Sequence, residues 1–106
     1  MSEYRLRFGD YAAVVTAQAC ALRELRHRGR DLIVPFPEGG PIRDYRGIIA
    51  APWPNRIANG RYVFDGATHD LPVNEPERGR ALHGLAFPQE WTLLAQDRNS
   101  VTCLWQ

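Results

Sequence analysis

Apolar and polar residues alternate with a period of two along most of this chain. Tyr4, Leu6 and Phe8 alternate with Arg5 and Arg7. That spacing predicts a half-buried strand, because successive side chains of a strand point to opposite faces. Gly9-Asp10 follows and suits a type II′ hairpin turn. Tyr11 to Ala17 is then the predicted return strand. Leu22 to Arg28 is ambiguous, since Leu22 and Leu25 sit at helical spacing. The stretch is short, however, and Gly29-Arg30 leads directly into the apolar run Leu32-Ile33-Val34. A second hairpin is the better expectation.

Residues 35 to 60 break the alternation. Pro35, Pro37, Pro41, Pro52 and Pro54 mix with Gly39, Gly40, Gly47 and Gly60. Proline lacks the amide donor and fixes φ, so the stretch is expected to be a long shaped connection rather than a central strand or long helix. Ordered connections of this length are disproportionately functional. Regularity returns with Tyr62 and Phe64 on one face, a turn at Asp65-Gly66, and a return strand from Thr68 to Val73. A second irregular stretch runs from Asn74 to Pro88. Trp91, Leu93 and Ala95 then alternate, Asp97 to Ser100 reads as a turn, and Val101, Cys103 and Trp105 alternate again. The pattern predicts an all-β, antiparallel fold in one domain spanning residues 1–106. The chain stops at Gln106 inside an alternating strand, which leads us to expect that the natural protein continues. An apolar edge there invites self-association.

Composition narrows the function. The 106 residues carry a net charge of +1, too little to attract nucleic acid or an anionic membrane. Every basic residue is an arginine, so any cationic contact comes from a planar guanidinium fork. The apolar runs are far too short to span a membrane, and the N-terminus lacks the regions of a signal peptide, so a cytoplasmic location is the default. Cys20 and Cys103 lack metal-ligand spacing and read as two buried thiols. There is no metal motif, phosphate-cradling loop or nucleophile elbow.

Two places stand out chemically. In Ala51-Pro52-Trp53-Pro54-Asn55-Arg56-Ile57, two prolines stiffen the backbone just before an amide and a guanidinium. Preorganised polar groups lose less entropy when they grip a ligand. Asn55 and Arg56 offer the directional donors and acceptors that sugar hydroxyls need, and Trp53 offers a face on which a sugar ring can stack. The plainer alternative makes Trp53 core, Asn55 a turn cap and Arg56 half of a surface ion pair. His83, in Ala81-Leu82-His83-Gly84-Leu85, has flanking leucines that suggest a partly buried imidazole. It is either a hydrogen-bonding or proton-transfer group, or a core histidine satisfied by backbone. Gly84 lets another group approach closely. His27 and His69 lie in charged, strand-like surroundings and read as exposed bystanders.

Four pieces in register carry a family resemblance: Gly47 to Ile57, Asn59-Gly60-Arg61-Tyr62-Val63-Phe64-Asp65-Gly66, Leu71-Pro72-Val73-Asn74, and Leu82-His83-Gly84. Together they resemble the N-terminal portion of the aldose 1-epimerase (galactose mutarotase) family, and the Pro-Trp-Pro-Asn-Arg form is similar to a bacterial subgroup. Residues 1 to 36 fit only by strand pattern. The resemblance implies part of an antiparallel β-supersandwich with a hexose bound in a cleft, with Asn55, Arg56 and His83 as substrate contacts and His83 near the reacting centre. It also implies no cofactor or metal, but a glutamate base on the anomeric hydroxyl and a second histidine as acid on the ring oxygen. No position here matches either group, so the 106-residue chain alone is expected to be inactive. The alternatives are a carbohydrate-binding or regulatory module, a non-functional fragment, and a hexose-6-phosphate 1-epimerase with Arg43 or Arg46 on the phosphate.

Overall fold

The computed structural model describes residues 2–106. Its regular structure consists of antiparallel strand pairs and one 3-10 turn, with no α-helix among the described residues. None of its helices is long and apolar enough to cross a membrane. The chain divides into two compact units. One comprises the chain up to Ile49 together with Ala86–Gln106, the other Ala50–Leu85.

In the first unit, β1 (Glu3–Phe8), β2 (Tyr11–Thr16), β3 (Leu22–His27) and β4 (Arg30–Asp31) form a sheet in the order β1-β2-β3-β4. Gly9 takes φ +56°, as the first central residue of a type II′ turn must. Arg28 and Gly29 turn β3 into β4, both at positive φ, the requirement of a type I′ turn. Leu22–His27 is therefore a strand despite its helical leucine spacing. The return strand is shorter than predicted. Pairing ends at Arg26↔Asp31, and Leu32 to Val34 lie outside any strand. Only the Leu32 amide reaches back, to the Leu25 carbonyl. Pro35 follows Val34 and cannot extend a ladder.

The sheet's inner residues supply this unit's core. Val14, Val15, Thr16 and Ala17 are buried in succession. Ala19, Ala21 and Phe36 are buried together, with Ile42, Ile48 and Phe87 packed against them. Phe8, expected on the covered face with Tyr4 and Leu6, is 70% exposed at the hairpin tip. Arg23 is buried and paired with the equally buried Glu3, and it also donates to the Phe36 carbonyl at 3.0 Å. Strands β9 (Thr92–Gln96) and β10 (Val101–Leu104) form a bulged hairpin. Trp91 donates its amide to Ala17, and Gln18 bridges Glu90. Cys20 and Cys103 are half-buried rather than fully buried. They lie close enough to interact, and burial first, then Cys103, pushes the Cys20 thiol up to about 11.

The second unit holds β5 (Arg56–Ala58), β6 (Arg61–Phe64), β7 (Ala67–Asp70) and β8 (Arg80–Leu82). Strands β6 and β7 form the predicted hairpin around Asp65 and Gly66, both at positive φ. The return strand stops at Asp70 rather than Val73, where the Leu71 amide turns to the Gly60 carbonyl. Strands β5 and β8 pair antiparallel. Both lie inside stretches whose sequence predicted no strand. The two other histidines are held by cross-strand ring contacts, His27 against Tyr11 at 4.7 Å and His69 stacked on Tyr62 at 5.0 Å, an arrangement that suits structural roles.

Candidate functional site

Strands β5 and β8 bring the three sequence candidates together. The register sets Arg56 opposite Leu82, Ile57 opposite Ala81 and Ala58 opposite Arg80. Just beyond this ladder, Asn55 and His83 face each other. The His83 amide donates to the Asn55 carbonyl at 2.8 Å, and the Asn55 amide donates to His83 Nδ1 at 3.0 Å. Both residues are left-handed, at φ +60° and +57°. That conformation is tolerable for asparagine but costs a histidine about 1–2 kcal/mol. Strain of this sort persists where surrounding structure over-determines it, and it clusters at functional sites.

The approach to Asn55 is shaped by the prolines and by Gly84. Ala51 bridges Gly84 in parallel, and the Leu85 amide donates to the Ala51 carbonyl at 2.7 Å. Gly84 sits at φ +78°, and a Cβ there would overlap the Ala51 backbone. The group that Gly84 admits is thus the chain's own carbonyl. Trp53 donates its indole N–H to the Ala81 carbonyl at 3.3 Å. Its polar edge is therefore anchored to β8.

The hydrogen bond at Nδ1 has a chemical consequence. A ring nitrogen that accepts from an amide carries no proton, so the neutral imidazole holds its proton at Nε2. His83 is thereby a fixed-tautomer donor. Arg56 is held just as firmly. Its Nε donates to Glu75 Oε1 at 2.7 Å and its Nη2 to Glu75 Oε2 at 3.1 Å. The Glu75 side chain is only 10% exposed, against 33% for Arg56. Hydrogen bonding from Arg56 outweighs desolvation and, with the charges of Arg56, Arg78 and Arg80, holds the Glu75 carboxyl below the usual carboxylate range. Arg56 does form the ion pair that the plainer sequence reading expected, but with a buried partner.

Two residues of this arrangement had no assigned role in the sequence. Asn74 Oδ1 accepts the Leu82 amide at 2.6 Å, and Asn74 Nδ2 donates to the Leu82 carbonyl at 2.8 Å. The side-chain carboxamide thus acts as a one-residue extra strand on the outer side of β8, immediately before His83. Glu75 is the other. Its partner lies 19 residues away, so no local spacing marks it. Beyond Glu75 the Pro76–Arg78 turn closes on Gly79 at φ +61°. Arg43 and Arg46 belong to the first unit, and Arg46 pairs with Asp44 at 3.5 Å. No cluster of three or more histidine, cysteine or acidic side chains suited to a metal ion occurs among the described residues.

The site therefore presents an exposed carboxamide, a braced guanidinium and an imidazole donor on one rigid two-stranded frame. A family model for aldose 1-epimerase matches residues 2–105. The chain belongs to the aldose 1-epimerase family. It is 39% identical over 98 residues to the protein YihR of Escherichia coli K12, covering 92% of this chain and 32% of that protein. It resembles the crystal structure of an Escherichia coli K12 protein described as "Putative aldose 1-epimerase", with a TM-score of 0.77 and 21% identity over 96% of this chain and 35% of the other. It also resembles a galactose mutarotase-like protein from Clostridium acetobutylicum, with a TM-score of 0.70 and 19% identity over 96% of this chain and 36% of the other. The expected all-β, mutarotase-like fold is thus borne out. The chain spans about a third of the length of YihR and of each of these structures.

Proposed function

We propose that the chain carries the sugar-gripping part of an aldose 1-epimerase, acting on the α and β anomers of a hexose. The supporting observation is the convergence of Asn55, Arg56 and His83 through paired backbone bonds in a chain of this family. Asn55 and Arg56 hold ring hydroxyls, and His83 offers its Nε2 proton to a sugar oxygen near the anomeric carbon. In the reaction a base removes the proton from the anomeric hydroxyl while an acid protonates the ring oxygen. The C1–O5 bond breaks, the C1–C2 bond rotates in the open aldehyde, and closure on the other face returns both protons.

The principal base and acid belong to residues outside this chain. Glu75 is the carboxylate at the site, and it is a poor candidate for the base. Both of its oxygens are engaged by Arg56, and its proton affinity is lowered. The same fact favours a second reading, a carbohydrate-binding module that grips a hexose without turning it over. Polarimetry on freshly dissolved α-galactose tests the assignment. Each missing proton-transfer group is worth roughly 10²–10⁴-fold, so the purified 106-residue chain is expected to leave the rate at that of buffer. Substantial turnover would place the acid and base within the chain and refute the assignment.

A further inference from the structure

We propose that Glu75 is the positioning residue for Arg56, and that the pair, not Arg56 alone, determines which hexose hydroxyl the guanidinium reads. The inference rests on the hexose reading above and extends it to a residue that acts through Arg56.

Three observations carry it. First, the contact is bidentate: Nε and Nη2 of Arg56 meet the two oxygens of Glu75 at 2.7 and 3.1 Å. A fork held at two points has its plane fixed as well as its location. Second, Glu75 is itself immobilised. Its amide donates to the Arg80 carbonyl at 3.1 Å, and its carbonyl accepts from the amides of Arg78 at 3.1 Å and Arg80 at 3.2 Å. Arg80 begins β8, which pairs with the β5 strand that carries Arg56, so the Glu75 backbone is tied to the same two-stranded ladder whose guanidinium its side chain holds. Third, the carboxylate is nearly buried although burying a charge is costly. Arg78 and Arg80 add to Arg56 in keeping it ionised. An arginine stem has many rotamers, and ordering them before a ligand arrives lowers the entropic cost of binding.

A purely stabilising ion pair would share this geometry, so the test must read ligand discrimination. Calorimetric titrations would compare a hexose with its monodeoxy analogues on the unaltered protein and on Arg56→Ala, Glu75→Gln and Glu77→Gln. Circular dichroism would confirm folding of each. Arg56→Ala is expected to weaken the parent hexose and to erase its advantage over one deoxy analogue. Glu75→Gln keeps the shape but replaces a charge-assisted contact with one roughly half as strong, so a loss of about three- to tenfold is expected. That loss should erase the same advantage. Glu77→Gln, on the exposed turn, should change neither. If Glu75→Gln fails to fold, Glu75→Asp keeps the charge but is too short to reach both nitrogens, and it should show the same selective loss.

A uniform loss for every sugar with Glu75 altered would overturn the inference, as would no loss where Arg56→Ala weakens binding. In both cases the hexose reading would stand. An inert Arg56→Ala, or no hexose binding by the unaltered protein, would instead overturn the hexose reading, and this inference with it.

Discussion

Replacing Asn74 with alanine should loosen the frame that carries His83. The Asn74 carboxamide satisfies both backbone groups of Leu82, at 2.6 and 2.8 Å, and Leu82 is only 1% exposed. Each such bond contributes about 1 kcal/mol net, and each buried polar group left without a partner costs about 1–3 kcal/mol. Asn74 itself is exposed, so water reaches part of the gap and the upper end does not apply. A destabilisation of about 2–3 kcal/mol is expected, which for a domain of this size lowers Tm by roughly 8–20 °C. Urea unfolding would measure the energy, and hydrogen exchange would locate it. The Leu82 amide should exchange far faster in Asn74→Ala. Asn74→Asp is a sharper probe: it keeps an acceptor for the Leu82 amide but turns an anionic oxygen toward the Leu82 carbonyl, so it should be at least as damaging. A loss below about 0.5 kcal/mol with unchanged exchange at Leu82 would refute the extra-strand role, since surface substitutions alone stay within that range.

Other consequences are equally concrete. Gly84→Ala forces an alanine into the left-handed region and its Cβ into the Ala51 carbonyl, so a loss of about 3 kcal/mol or more in a denaturation midpoint is expected. Arg23→Ala strands the buried Glu3 carboxylate and removes the donor to Phe36, and it should cost about 3–5 kcal/mol by the same measurement. A near-neutral result would mean that Glu3 escapes to solvent. Raising the Cys20 thiol from 9.0 to about 11 cuts its thiolate population at pH 8 by about a hundredfold, so its alkylation should be slower by a similar factor than that of a free cysteine. Rapid alkylation of Cys20 in the folded protein would contradict that environment.

How far the fold could be read from residues depended on the range of the signal. Strands β1 and β2 and the β6–β7 hairpin announce themselves because alternation and turn residues lie within a few positions of one another, while β3, with leucines at helical spacing, is legible only from the Gly29-Arg30 turn that follows it. The Gly9 and Asp65-Gly66 turns supply the backbone freedom that the hairpins need. The β5–β8 pair left no such trace. Each strand has three residues, too few to show a period, and they meet across more than twenty intervening positions. The segment between Pro52 and Asn55 is legible as rigid, yet the partner it is rigid against, Ala81 to Leu85, is not. Asn55, Arg56 and His83 could be singled out by residue type and by resemblance, whereas Asn74 stood in a resembling piece without a role and Glu75 carried no signal. Their roles exist only after β8 folds beside them. Phe8 errs the other way: the alternation set it on the covered face with Tyr4 and Leu6, and it is exposed, as is Val34 at the end of its apolar run. Apolar residues at a hairpin tip or before a proline can satisfy the pattern without reaching a core.

The most direct measurement is a two-dimensional NMR titration of the protein with galactose, following the Asn55 side-chain amide, the Arg56 Nε–H and the His83 Nε2–H together. The expected result is that all three shift and saturate along one curve with a common Kd, while His27 and His69 stay still. Shifts confined to other residues, or three responses with unrelated midpoints, would contradict a shared sugar site on the β5–β8 frame.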